Sequence, residues 1–249
     1  MAGAAPLRRA PSGAAPRRKA NAEPTLEDDV RGRVLNAAVK LIDRSGLAGL
    51  SMREVARAAG VSHQAPYHYF ADREAIFAAL AEEGFKILTL RLEGIVASSE
   101  PAVDRFVSAG QSYVEFALDH PALFRIMFRP DVVAMDRFPE ASACGERAFA
   151  MVPTLVQACI DEGLPAVPSV QALVILAWSI PHGLACLILD GPLGKTLPDV
   201  LAEREKLTSE VMTAMRALLV GRGASTTKAK AKVKAATRAN AGPRRRGRE

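Results

Sequence analysis

Residues 51–70, SMREVARAAGVSHQAPYHYF, carry the start and stop signals of two short helices. Ser51 and Glu54 make an S-x-x-E capping box: the Ser51 hydroxyl accepts the backbone N–H of Glu54, and the Glu54 carboxylate reaches back. Leu50 and Val55 stand where a hydrophobic staple sets the direction of the incoming chain. Val55 and Ala59 give a narrow apolar face, and Gly60 supplies the left-handed residue that ends such a helix. Ser62 is a second N-cap two residues later, so the next helix leaves at once and steeply. This is the sequence form of a helix-turn-helix.

The second helix is predicted over His63 to about Phe70. Its hydrogen-bonding groups (His63, Gln64, His68 and the Tyr hydroxyls) suit a surface presented to a partner, whereas a short core helix would bury a wide apolar face. Side chains in its first turn would reach base edges in a major groove, with Gln64 suited to adenine and His63 able to donate or accept. Pro66 falls near the end of that turn, where at most one intrahelical bond is lost. A helical hairpin that merely packs is the plainer reading of the same residues.

A first helix ending near Gly46, a capped second helix, the run G-V-S-x-x-x-x-Y-x-x-F from Gly60 to Phe70 and a further helix together resemble the DNA-binding domain of TetR-type transcriptional repressors, over about Val30 to Leu80. The resemblance implies phosphate contacts from Tyr67 and from Tyr69, the latter standing where the family usually has His. Arg73 occupies a position where Lys is typical; Arg keeps the charge and can contact phosphate bidentately. The expected DNA-facing set is Ser51, Arg53, Ser62, His63, Gln64, Ala65, Tyr67, His68, Tyr69 and Arg73. The implied partners are a second copy of the chain and a pseudo-palindromic double-stranded operator.

The 249 residues, 49% hydrophobic, suffice for a sizeable core. The net charge of +6 is unevenly placed. The first twenty residues hold five Lys or Arg and no acid, and ten more lie from Arg222 onward against Glu249 alone. The remainder sets 18 basic against 26 acidic residues, a balance of −8. Both ends are rich in Ala, Pro, Gly and basic residues without periodic apolar positions, the composition of disordered arms. Such arms would add salt-sensitive attraction to phosphates or act only as solubilising tails. The amino-terminal stretch is Arg-rich like a transit peptide, but its prolines interrupt an amphipathic helix and it lacks the apolar core of a secretory signal. Cys144, Cys159 and Cys186 have no C-x-x-C spacing and read as buried free thiols in a reducing cytoplasm.

The rest of the chain is helical in pattern. Residues 28–45 place Val30, Val34, Ala38, Leu41 and Ile42 on one face. Asp72 caps a longer helix running through Ile76, Leu80, Gly84, Ile87 and Leu88 toward Val96, which starts in the head and continues into the remainder. Val103 to Leu118 repeats at helical spacing until His120-Pro121, and the aromatic segment Leu123 to Phe128 follows. Further helices cover Ala141 to Cys159, closed by Gly163, and Leu207 to Leu218. No alternating strand pattern occurs, so the expected fold is all-α. The expected division is a basic arm (1–23), a helix-turn-helix domain (24–84), a helical ligand-binding and dimerisation domain (85–221) and a basic tail (222–249).

Val170 to Leu189 is twenty residues without a formal charge, long enough to span a bilayer. Gln171, Ser179, Pro181, His182 and Gly183 weaken that reading, and a helix apolar all round also suits a bundle core or dimer seam. Trp178, His182 and Cys186 are spaced four apart and share a face. Trp178-x-x-x-His182-Gly183 resembles a W-x-x-x-H-G signature of one carboxy-terminal domain type in the TetR family. Pro181 is expected to loosen the helix, freeing a carbonyl near Ala177. One aromatic wall and one polar handle suit a mostly apolar small molecule, with Tyr113, Phe116, Phe124, Phe128, Trp178 and His182 as the candidate lining. A satisfied core histidine is the plainer reading of His182. A metal site on His182 and Cys186 lacks further ligands at recognisable spacing.

No nucleophile–base arrangement, metal motif or dinucleotide fingerprint points to an enzyme, and no cofactor is implied. Gly191 to Thr196 ends like a phosphate-binding loop, but Leu189 stands where its first glycine would be. A non-specific architectural protein acting through its basic ends is the alternative to a sequence-specific, cytoplasmic repressor.

Overall fold

The computed structural model of the chain describes residues 29–164, 169–191, 193 and 202–220. Its helices are α1 (Val30–Ser45), α2 (Met52–Ala59), α3 (Arg73–Val96), α4 (Ala102–Asp119), α5 (Pro121–Met127), α6 (Pro139–Asp161) and α7 (Val170–Leu189). A further helix, α8, covers 204–220. Among the described residues there is no strand, and the fold is all-α. The expected basic ends and most of the Gly191–Thr196 loop lie outside the described residues.

Local side-chain chemistry sets the helix ends of the head. Asp29 accepts the N–H of Gly32 at 2.7 Å, Ser51 that of Glu54 at 3.2 Å, and Asp72 that of Ala75 at 2.9 Å. The capping box is half made, because the Glu54 carboxylate meets the Ser51 hydroxyl (3.3 Å) rather than its backbone N–H. Gly60 takes the left-handed conformation (φ 66°, ψ 37°), and the N–H of Val61 bonds back to Ala56. Arg33 reaches across from α1 to donate to the carbonyls of Ala59 and Gly60 (3.1 and 3.2 Å), which joins α1 to the end of α2.

The second element of the motif differs from expectation. In place of an α-helix over 63–70 there is a turn followed by a 3-10 helix, Ala65–His68, with no side-chain cap from Ser62. Its bonds run three residues back: Ala65 donates to Ser62, Tyr67 to Gln64 and Tyr69 to Pro66. Pro66 supplies the reason, since it has no N–H and disfavours the α conformation at Ala65.

Helix α3 is the axis of the molecule. Ile76, Phe77 and Leu80 belong to the head core, while Phe85, Leu88 and Leu92 belong to the body, all within one 24-residue helix. Close approach by its neighbours needs glycine. A Cβ at Gly84 would stand 2.5 Å from the Met127 sulfur on α5, and one at Gly110 on α4 would stand 2.7 Å from the Met212 sulfur on α8. Helix α7 buries Leu173, Ala177, Pro181, Leu184 and Ala185. Its other face leaves Ile175 and Leu176 60% and 57% exposed in the single chain, and Leu218 on α8 is likewise uncovered.

Candidate functional site

Two features stand out, one in the head and one in the body. In the head, Pro66 and Phe70 are buried and pin the 3-10 helix to the core, with the Arg31 guanidinium over the Phe70 ring. The intervening side chains therefore point outward. Of the ten residues expected to face DNA, nine are exposed and Ala65 is half-buried. His63 and Tyr67 lie ring to ring with centroids 6.0 Å apart. Arg73 is exposed in the first turn of α3, with its guanidinium over Phe77. The result is an exposed strip of donors and acceptors, accompanied by the exposed arginines Arg53 and Arg57 on α2 and Arg73 on α3.

In the body, α3, α4, α6 and α7 enclose an apolar cavity with a free volume of about 50 Å³. Phe85, Leu88 and Leu92 face it from α3, Phe106 and Tyr113 from α4, Phe149, Met151 and Leu155 from α6, and Ala177, Trp178 and Pro181 from α7, with Phe128 at the end of α5. At one edge the polar atoms form a chain. Trp178 Nε1 donates to the Tyr113 oxygen at 3.4 Å, that oxygen lies 2.8 Å from His182 Nδ1, and His182 Nε2 lies 3.5 Å from Cys186 Sγ. Burial pushes the Tyr113 hydroxyl pKa well up and the His182 pKa down, so both are neutral near pH 7. Burial likewise raises the Cys186 thiol pKa, which keeps it a thiol.

The loop after Phe128 returns to the head. Glu74, one residue beyond Arg73, accepts the backbone N–H of Ala134 at 2.9 Å and pairs with the Arg137 guanidinium.

Comparison with known proteins places both halves. Residues 34–80 match the model described as bacterial regulatory proteins, tetR family, and residues 106–215 match a tetracycline repressor-like C-terminal domain. The chain belongs to the TetR family. It is 29% identical over 124 residues to the HTH-type transcriptional regulator CymR of Pseudomonas putida, a match covering 50% of this chain and 59% of that protein. The chain thus spans under two thirds of that relative's length. A solved protein of unknown function from Rhodococcus sp. RHA1 is 30% identical, with a TM-score of 0.62 over 81% of this chain and 98% of its own. FadR of Bacillus subtilis, solved with stearoyl-CoA, is 16% identical with a TM-score of 0.60, covering 76% and 96% of the two chains, and shows the shared fold.

Within this TetR-family chain the expected lining residues separate into three groups. Tyr113, Phe128 and Trp178 face the cavity. His182 stands behind Tyr113, and Phe124 packs on both without reaching the space. Phe116 is directed elsewhere: it is fully buried against His120 and beneath the Arg91 guanidinium. Phe85 and Phe149 were not among the expected lining. Cys159 is buried, whereas Cys144 and Cys186 are half-buried, against the expectation of three buried thiols.

Proposed function

We propose that the chain is a sequence-specific DNA-binding transcriptional regulator that works as a homodimer. A small, mostly apolar ligand entering the cavity releases it from a pseudo-palindromic operator. The observation that carries this reading is the continuity of α3: the helix that presents Arg73 beside the exposed His63–Tyr69 strip also forms a cavity wall through Phe85, Leu88 and Leu92. A ligand that favours one tilt of this helix favours one separation of the two heads, and only one separation fits two half-sites. The uncovered apolar faces of α7 and α8 supply the seam for the second copy. In this reading the ten head residues form the DNA-facing set, residues 24–84 and 85–221 are the working divisions, and the protein acts in the cytoplasm. In this reading the chain is a regulator and not an enzyme.

The test is binding to a genomic fragment library by the full-length protein and by a Gln64→Ala, Tyr67→Ala variant at moderate salt. The intact protein is expected to enrich a short pseudo-palindrome and the variant to lose that enrichment. Equal, sequence-independent binding by both would sink the proposal and put the affinity in the basic ends.

A further inference from the structure

Building on the ligand reading above, we infer that the cavity takes an uncharged, single-ring aromatic molecule with one hydrogen-bond acceptor, which receives the Tyr113 hydroxyl proton as a hydrogen bond. The walls favour a ring over a chain. Phe149 and Trp178 meet edge to face with centroids 4.9 Å apart at 86°, and Phe85 and Phe128 do so at 5.9 Å and 89°. An aromatic ring standing in for Phe149 keeps this alternation of ring edges and faces, and an alkyl chain does not.

The cavity also favours a neutral molecule. Every described residue on its wall is uncharged. A carboxylate or phosphate placed there would lose its water without gaining a counter-charge.

The polar edge sets the single acceptor. Trp178 already donates to the Tyr113 oxygen, so the Tyr113 proton goes either to His182 Nδ1 or into the cavity. With its proton on Nε2, His182 donates to Cys186 Sγ and accepts the Tyr113 O–H hydrogen bond at Nδ1. With its proton on Nδ1, His182 donates to the Tyr113 oxygen, Cys186 donates its S–H to Nε2, and the Tyr113 O–H turns to the ligand. Every group stays satisfied in both arrangements, so an acceptor selects a tautomer and leaves no buried group unpaired.

Size locates the way in. The free volume of about 50 Å³ is smaller than the roughly 150 Å³ cavity known to hold benzene, so a ring enters only by moving a wall. Phe149 is 38% exposed and stands against Trp178. The two helices bearing this pair contain Pro153 and Pro181, each of which removes one backbone rung. The ligand ring takes the place of Phe149 against Trp178.

Trp178 is the sole tryptophan of the chain and reports on this event directly. The full-length protein is titrated with acetophenone, ethylbenzene, benzoate and octanoyl-CoA by calorimetry and Trp178 emission, with operator release measured in parallel. Acetophenone is expected to bind about tenfold more tightly than ethylbenzene, the worth of one hydrogen bond, and benzoate more weakly than either. Tyr113→Phe should erase the advantage of acetophenone and leave ethylbenzene unchanged. Phe149→Ala, at a half-exposed position, should tighten both. If acetophenone binds Tyr113→Phe as well as wild type, the assigned hydrogen bond is wrong. Tighter binding and operator release by benzoate or octanoyl-CoA would overturn the ligand class while leaving the regulator reading intact. If no probe binds or alters operator affinity, the inference falls. The regulator reading falls with it only if wild type also shows no preference among genomic fragments.

Discussion

Glu74 holds Arg137 and the backbone N–H of Ala134 across some sixty residues of sequence, tying the first turn of α3 to the loop that leaves the cavity at Phe128. The carboxylate is one residue from Arg73 and less exposed than its partner (25% against 58%), so the bond is more than a solvated surface pair. It joins the two features described above by a route separate from the body of α3.

Breaking this tie is expected to weaken communication while sparing the sites. In Glu74→Ala and Arg137→Ala the ratio of operator affinities without and with ligand should shrink several-fold, within the usual span of a coupling free energy. Ligand affinity in the absence of DNA, read from Trp178 emission, should stay at the wild-type value. The double variant should lose no more coupling than Glu74→Ala alone, which removes both bonds; additive losses in the cycle would show that the two residues act independently.

Two glycines of α3 are expected to respond in opposite directions to the same substitution. A Cβ at Gly84 meets the Met127 sulfur at 2.5 Å and the Leu123 Cβ at 3.3 Å, while one at Gly94 meets nothing within 4 Å. Gly84→Ala overpacks the contact with α5 at about 1–3 kcal/mol, which outweighs the gain of up to about 1 kcal/mol in helix propensity. Gly94→Ala keeps only the gain. Thermal unfolding should show a lower Tm for the first and a Tm raised by about 1–3 °C for the second.

The half-buried imidazole leaves a pH signature. Burial lowers the His182 pKa in the folded chain, so on acidification the unfolded chain takes up this proton first. Its contribution to stability is therefore complete above the ordinary histidine pKa of about 6.5 and declines as pH falls below it. The Tm difference between wild type and His182→Asn should be level from pH 8 to 7 and shrink from pH 6.5 to 5.5. A difference that widened on acidification would mean that His182 is charged in the folded protein.

What the residues disclosed in advance follows the range of the forces involved. Ser51, Gly60, Asp72 and the His120-Pro121 break act on backbone groups a few positions away, so they could be read directly from the chain. The 3-10 geometry at Ala65–His68 turned on one missing N–H, at Pro66, whose cost is larger in so short an element than in a long helix. The cavity was less legible. Phe85 sits on a helix buried on nearly every side, where periodicity singles out no face, and Phe149 stands one position off the apolar stripe of α6, whose Ala148, Met151, Val152 and Leu155 do line the cavity. Phe116 is only three residues from Tyr113, yet that rotation about α4 turns it to Arg91 and His120.

The unbroken length of α3 has a mechanical consequence. Leu88 touches the cavity fifteen residues from Arg73, about 22 Å along the axis at the α-helical rise. A tilt of about 5° about Leu88, small enough for side chains there to absorb, displaces the Arg73 end by about 2 Å at that radius. In a dimer the two displacements add, while the spacing of half-sites on DNA is fixed. Leverage, more than the strength of any single ligand contact, then sets how little distortion suffices to dislodge the protein.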